Sequence, residues 1–292
     1  MPQCNNLLGD AGGQRNLVCD MGDLSPIALA LPALLVAGAA AGFAGGLFGI
    51  GGGFVVVPAL MFLLPLIGVA PEQIAHVAVG TSLASIIFTS IRSTSAHAQR
   101  GAVDFALLRG WAGWVVLGTA MGTAFASLVS GPLLAAIFGT GVLGFAAYFL
   151  LPERRGAPLF VALPSGLPRA GLASALGLFS TLLGIGGGTL TTVTMTVCGA
   201  PIHRAIGTAA GMGAIIAIPA TLGFMVIGLG EAGRGWGAVG YVHLPTAAVL
   251  IATSVLCAPL GVAAAHHLAP AILRRVFGLY LAFIGVVMIS KF

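Results

Sequence analysis

The run Gly49-Ile50-Gly51-Gly52-Gly53 returns unchanged as Gly184-Ile185-Gly186-Gly187-Gly188. This internal duplication limits the fold more than any other feature of the chain. Two weaker matches follow in the same order. His76-Val77-Ala78-Val79-Gly80-Thr81 is answered by His203-Arg204-Ala205-Ile206-Gly207-Thr208, and Gly101-Ala102-Val103 by Gly237-Ala238-Val239. Three ordered matches define two related halves, 25–151 and 169–292. A proline-rich linker, 152–168, joins them and carries Glu153, Arg154 and Arg155.

Composition decides the solvent of these halves. Hydrophobic residues make up 58% of the chain and charged residues 7%, against about 25% charged in soluble proteins. That much apolar surface suits lipid. Each half holds five apolar segments, near 26–48, 54–69, 74–95, 105–129 and 132–151, then 168–183, 189–199, 204–229, 241–265 and 271–290. A crossing needs about 20 residues, and the last three segments of each half reach that length. The arm from Pro58 to Val69 and the segment 189–199 span only about 18 Å at 1.5 Å per residue. The first two segments of each half therefore read as a hairpin that enters the bilayer and returns, giving four half-length arms. Tilted full crossings with a glycine turn at the surface remain the alternative.

The expected fold is an all-α integral membrane protein of two inverted repeats, each a helical hairpin with a Gly-rich tip plus three membrane-spanning helices. An odd number of segments per half inverts the second half, an arrangement recurrent in secondary transporters. Arg92, Arg100, Arg109, Arg154, Arg155, Arg169, Arg204, Arg274 and Arg275 can all face the cytoplasm if both termini lie outside, with Arg234 and Lys291 as exceptions. Residues 1–24 contain Asp10, Asp20 and Asp23. They lack the basic start and apolar core of a signal peptide and read as a flexible tail. The net charge of +5 is scattered between apolar runs, which excludes a nucleic-acid surface.

The glycine runs are not nucleotide loops. No Lys-Ser or Lys-Thr follows either copy, and no strand–turn–helix unit surrounds them. Close packing at a tight turn explains them in part. Irregular backbone at membrane depth also tends to line a cavity, and helix N-termini bind anions without a buried cation. Candidate substrate contacts are thus Gly51, Gly52, Gly53, Gly186, Gly187 and Gly188. Thr81, Ser82, Thr189 and Thr208 would add hydroxyls, although membrane threonines equally often bond neighbouring backbone. Arg92, His76 and His203 are candidates for gating or coupling, against the simpler readings of a snorkelling arginine and interfacial histidines. No metal-ligand cluster, no catalytic motif and no pair of carboxylates in an apolar segment is present, so neither a cofactor nor an enzymatic role is expected. Cys198 and Cys257 read as packing residues.

The tandem glycine motifs, the Val57-Pro58 after the first copy and the run from His76 to Ser90 resemble the sulfite exporter TauE/SafE family of membrane transporters, over nearly the whole chain from residue 27. The resemblance implies movement of a small sulfur-containing anion, such as sulfite or an organosulfonate, across the cell (inner) membrane. Family members are often drawn with eight crossings, and ten segments with four half-length arms depart from that drawing. The expected partners are a small anion and the lipid bilayer. A proton or sodium as coupling ion and a homodimeric state are compatible with the architecture. An anion channel, or a membrane enzyme or assembly subunit, are the competing classes.

Overall fold

The computed structural model describes residues 24–151, 163–267 and 270–291. The tail before Leu24 and most of the linker lie outside the described residues. Ten helices follow in order: α1 (Leu24–Phe48), α2 (Gly53–Leu63), α3 (Ile74–Ala98), α4 (Phe105–Ala126), α5 (Gly131–Leu150), α6 (Gly166–Leu182), α7 (Gly188–Val197), α8 (Ile202–Ile227), α9 (Leu244–His267) and α10 (Pro270–Lys291). A short hairpin precedes α9. Its strands, β1 (Ala238–Val239) and β2 (Val242–His243), pair antiparallel with Ala238 opposite His243.

Among the described residues, Ala30–Phe48, Pro71–Ala98, Gly131–Leu150, Ile202–Ile227 and Leu244–Ala265 are long and apolar enough to cross a bilayer. The chain is an all-α, multi-pass membrane protein. Arms α2 and α7 have 11 and 10 residues, the half-lengths expected. The first arm is different. With 25 residues, α1 extends about 37 Å, so the reading of α1 as a half-length arm is corrected. The reason is a glycine seam. Gly38, Gly42 and Gly46 recur every fourth residue, and a Cβ at each would overlap Leu250 or Thr253, Ser254, and Ala258 of α9 in turn. Small residues at this spacing let two backbones meet along their length, and the matched order makes α1 and α9 parallel. The same seam joins α4 to α6, where Gly118 meets Ser174 and Gly122 meets Leu178. At 17 residues, α6 is the shorter counterpart of α1.

The two halves interlock. The first helix of each half packs on the fourth helix of the other, α3 packs on α8, and α5 on α10. Gly213 of α8 lies against Ser90 of α3, and Gly80 of α3 against Phe224 of α8. As the number rises on one helix it falls on the other, so the equivalent helices α3 and α8 are antiparallel. The most buried crossing is α3. It carries a polar series along its length: His76, Thr81, Ser82, Ser85, Thr89, Ser90, Ser93 and His97 are all buried. Polar groups on a central helix need partners from other elements or from a ligand.

Candidate functional site: the junction of two glycine tips

Both glycine runs form tight turns into a short helix. Gly52 (φ 84°) precedes α2 and Gly187 (φ 73°) precedes α7, each left-handed and without a side-chain cap. Only glycine holds that conformation at little cost. The first N–H groups of a helix lack intrahelical partners, so each tip presents uncapped donors at the positive end of a helix dipole.

The tips meet. A Cβ on Gly53 would overlap the Gly184 carbonyl oxygen, and a Cβ on Gly188 would overlap that of Gly49. Each tip thus touches the first glycine of the other. Both rest on Ile86, midway along α3. Its Cγ2 lies 2.8 Å from where a Cβ of Gly51 would stand, and 2.7 Å from that of Gly186. The structure therefore brings Gly51, Gly52, Gly53, Gly186, Gly187 and Gly188 into one junction. Ser82 joins it, its hydroxyl donating to the Gly184 carbonyl at 2.9 Å. Thr189 sits on the first turn of α7, buried, and its hydroxyl has no hydrogen-bond partner among the described residues.

Thr81 and Thr208 have other neighbours. Thr81 Oγ1 accepts the backbone N–H of His243 at 3.0 Å, and Thr208 Oγ1 accepts that of Asp104 at 2.9 Å. The glycine before each threonine makes room: a Cβ on Gly80 would overlap the Tyr241 carbonyl oxygen, and one on Gly207 that of Ala102. Each Gly-Thr pair is a latch that fixes the entry to the fourth helix of the opposite half. The anchored residues then cap those helices. Asp104 Oδ1 accepts from Leu107 N–H at 3.0 Å, and His243 Nδ1 from Thr246 N–H at 3.3 Å. The Thr246 hydroxyl lies 2.7 Å from the same nitrogen. Nδ1 must accept from an N–H, so the ring there is neutral. Burial lowers the pKa of His243 below the ordinary histidine value, partly offset by a backbone hydrogen bond with Trp236. Because α3 and α8 are antiparallel, the latches lie toward opposite ends of the pair.

The remaining candidates do not reach the junction. His76 is buried, its Nε2 3.0 Å from the Ala126 carbonyl and its ring stacked on Tyr241 at 4.8 Å. Its counterpart His203 is exposed, as is Arg92. Sequence reasoning missed three features. Asp104 pairs with Arg204 at 2.9 Å across the halves. His97 Nε2 lies 3.1 Å from the Gly46 carbonyl oxygen of α1. Ser90 and Ser180 are buried at the tips. Only the run His76–Ser90 hinted at the last. A separate apolar cavity of about 160 Å³ is lined by Leu31, Leu34, Trp236, His243, Thr246 and Val249 among others. None of the tip glycines lines it.

Interlocked halves, a buried polar central helix and paired short arms make up a multi-pass membrane protein; that it is a membrane transporter follows from its family. The sequence profile of the Sulfite exporter TauE/SafE family matches residues 34–288, and the chain belongs to that family. It is 32% identical over 259 residues to a probable membrane transporter protein of Haemophilus influenzae, covering 88% of this chain and 97% of that one. A probable membrane transporter protein of Methanocaldococcus jannaschii is 27% identical over 271 residues, covering 89% and 96%. No solved structure gives a significant match.

Proposed function

We propose that the chain is a secondary transporter of a small anion, sulfite or an organosulfonate, and that the anion binds where the two glycine tips meet. The observation that carries this reading is the reciprocal contact of Gly53 with Gly184 and of Gly188 with Gly49. It puts the N-termini of α2 and α7 at one point beside Ile86. A bare anion in apolar surroundings is costly without donors. Two uncapped helix N-termini supply N–H groups and favourable dipoles without a buried cation. The antiparallel pairing of α3 with α8 supports inverted repeats, with the site between them near the membrane midplane. In this reading Thr81 and Thr208 hold the two halves together around the site, and movement at their latches at opposite ends of α3 and α8 exposes it to each side in turn.

The test is a thermal-shift screen of the purified protein against sulfite, sulfate, thiosulfate, taurine, sulfoacetate and acetate. A ligand that binds only the folded state raises its melting temperature with concentration. The expected result is a concentration-dependent rise with sulfite or a sulfonate. A rise with acetate alone would replace the sulfur anion by a carboxylate.

A further inference from the structure

Two unpartnered hydroxyls lie directly against the glycine tips. Ser90 of α3 and Ser180 of α6 are fully buried, and neither has a hydrogen-bond partner among the described residues. Several hydroxyls close by on these helices are satisfied by their own backbone, although Ser93, one turn further along α3, is likewise buried and unpartnered. Thr89 donates to the Ser85 carbonyl, Thr94 to that of Ser90, and Thr181 to that of Gly177. That bond is the usual resort of a serine or threonine on a membrane helix. Burying a hydroxyl without any bond is unfavourable, and two such cases at one place call for a common partner.

Their positions supply it. Ser90 Oγ lies 3.3 Å from where a Cβ of Gly51 would stand, and Ser180 Oγ lies 3.0 Å from where one of Gly187 would stand. Each hydroxyl is therefore beside one of the two uncapped N-termini. They are not products of the duplication. Counted from the matched histidines, Ser90 corresponds to Ala217; counted from the matched glycine runs, Ser180 corresponds to Gly45. Each half thus has one hydroxyl at its own tip, from a different helix of the hairpin-and-crossing unit. Thr189, also buried and unpartnered on the first turn of α7, adds a third on the second side.

We propose that Ser90 and Ser180 donate their O–H groups to the transported anion and set its class, an oxyanion with several acceptor oxygens rather than a halide. The proposal rests on the transporter reading above. Donors reach the junction from α2, α3, α6 and α7. A pyramidal sulfite or a sulfonate group can offer separate oxygens to such a set, and Ile86 and Ile216 pack closely against Gly51, Gly186 and Gly187 around it.

The experiment uses full-length protein and three variants, Ser90→Ala, Ser180→Ala and the double substitution, with Ser290→Ala, at an exposed position of α10, as control. Sulfite, methanesulfonate and chloride binding is measured by calorimetry, and melting temperature without ligand is measured alongside. Each single variant is expected to weaken sulfite binding several-fold and the double variant by about tenfold or more. Chloride binding should change little, so the preference for sulfite falls. Melting temperature without ligand should stay level or rise, because an unsatisfied hydroxyl has been removed. Wild-type protein that binds sulfite with unchanged affinity in the double variant overturns this proposal alone. So does a fall in melting temperature with unchanged affinity, which makes the hydroxyls structural. Wild-type protein that binds neither sulfite nor methanesulfonate overturns both this proposal and the substrate reading beneath it.

Discussion

Thr81 Oγ1 accepts a hydrogen bond from the backbone N–H of His243, 162 residues further along the chain, at 3.0 Å. Thr208 and Asp104 repeat the arrangement in the opposite direction at 2.9 Å. Each half thereby fixes the start of a long helix in the other. The duplicated Gly-Thr pair is explained by this exchange: glycine admits the backbone and threonine satisfies its N–H.

Thr81→Val and Thr208→Val keep the side-chain shape and leave without a partner the buried His243 N–H and the part-buried Asp104 N–H in turn, at a cost of about 1–3 kcal/mol, larger for the first. Each should lower the melting temperature in detergent by several degrees, and Thr→Ser at either position should recover most of the loss. Unfolding followed by intrinsic fluorescence measures this. Valine variants as stable as wild type would remove the latches as stabilising elements.

His243 makes one latch sensitive to acid. Its folded-state pKa lies below the ordinary value of about 6.5, so the unfolded chain binds the proton more readily. Stability from this group is full above pH 6.5 and is lost as the pH falls from there toward the folded pKa. Protonation also ends the acceptor role of Nδ1 toward Thr246. Melting temperature should fall on acidification through this window. His243→Asn, which can cap a helix without titrating, should flatten the fall. An equal slope in the variant would assign the acid sensitivity to other groups.

At the tips, Gly53→Ala and Gly188→Ala each drive a methyl into a carbonyl oxygen of the opposite half. Backbone cannot swing aside as a side chain does, so each should cost about 1–3 kcal/mol or more. Gly144→Ala on α5 meets nothing within 4 Å and should be tolerated. Thermal stability of the three variants is the comparison, and equal stability would mean that the tips do not touch in the membrane.

The positions of the ten helices were legible because apolar runs, glycine and proline punctuate the chain at nearly every boundary. The glycine tips were legible because they are duplicated. The extent of α1 was legible at 26–48, but its role as a full crossing rather than a half-length arm was not, since its seam with α9 depends on contacts between Gly38 and Leu250, far apart in sequence. For the same reason nothing near Thr81 or Thr208 reveals that a backbone N–H 162 or 104 residues away occupies the hydroxyl. Ser90 and Ser180 look like any other small polar residue in a membrane helix. What distinguishes them is an unpartnered hydroxyl set against a glycine tip, which depends on contacts between distant segments. Likewise the Asp104–Arg204 pair joins two residues that read separately as loop charges.

The proposed inverted repeats carry a topological consequence. Glu72 and His203 are both exposed and both follow the short arm of their half. In protein whose native cysteines are serine, Glu72→Cys and His203→Cys should react with a membrane-impermeant maleimide from opposite sides, Glu72→Cys from outside. Labelling of both from the same side would make the repeats parallel.

The most direct measurement is counterflow. Proteoliposomes containing the purified protein are loaded with unlabelled sulfite, diluted into a trace of radiolabelled sulfite, and followed in time, with taurine, methanesulfonate and acetate as competitors. A carrier with one site at the meeting tips predicts transient, saturable accumulation of label that a competing sulfonate suppresses and acetate does not. Label that merely equilibrates at a rate linear in concentration would contradict the carrier and favour a channel, and no accumulation with any of the sulfur anions would contradict the proposed substrate class.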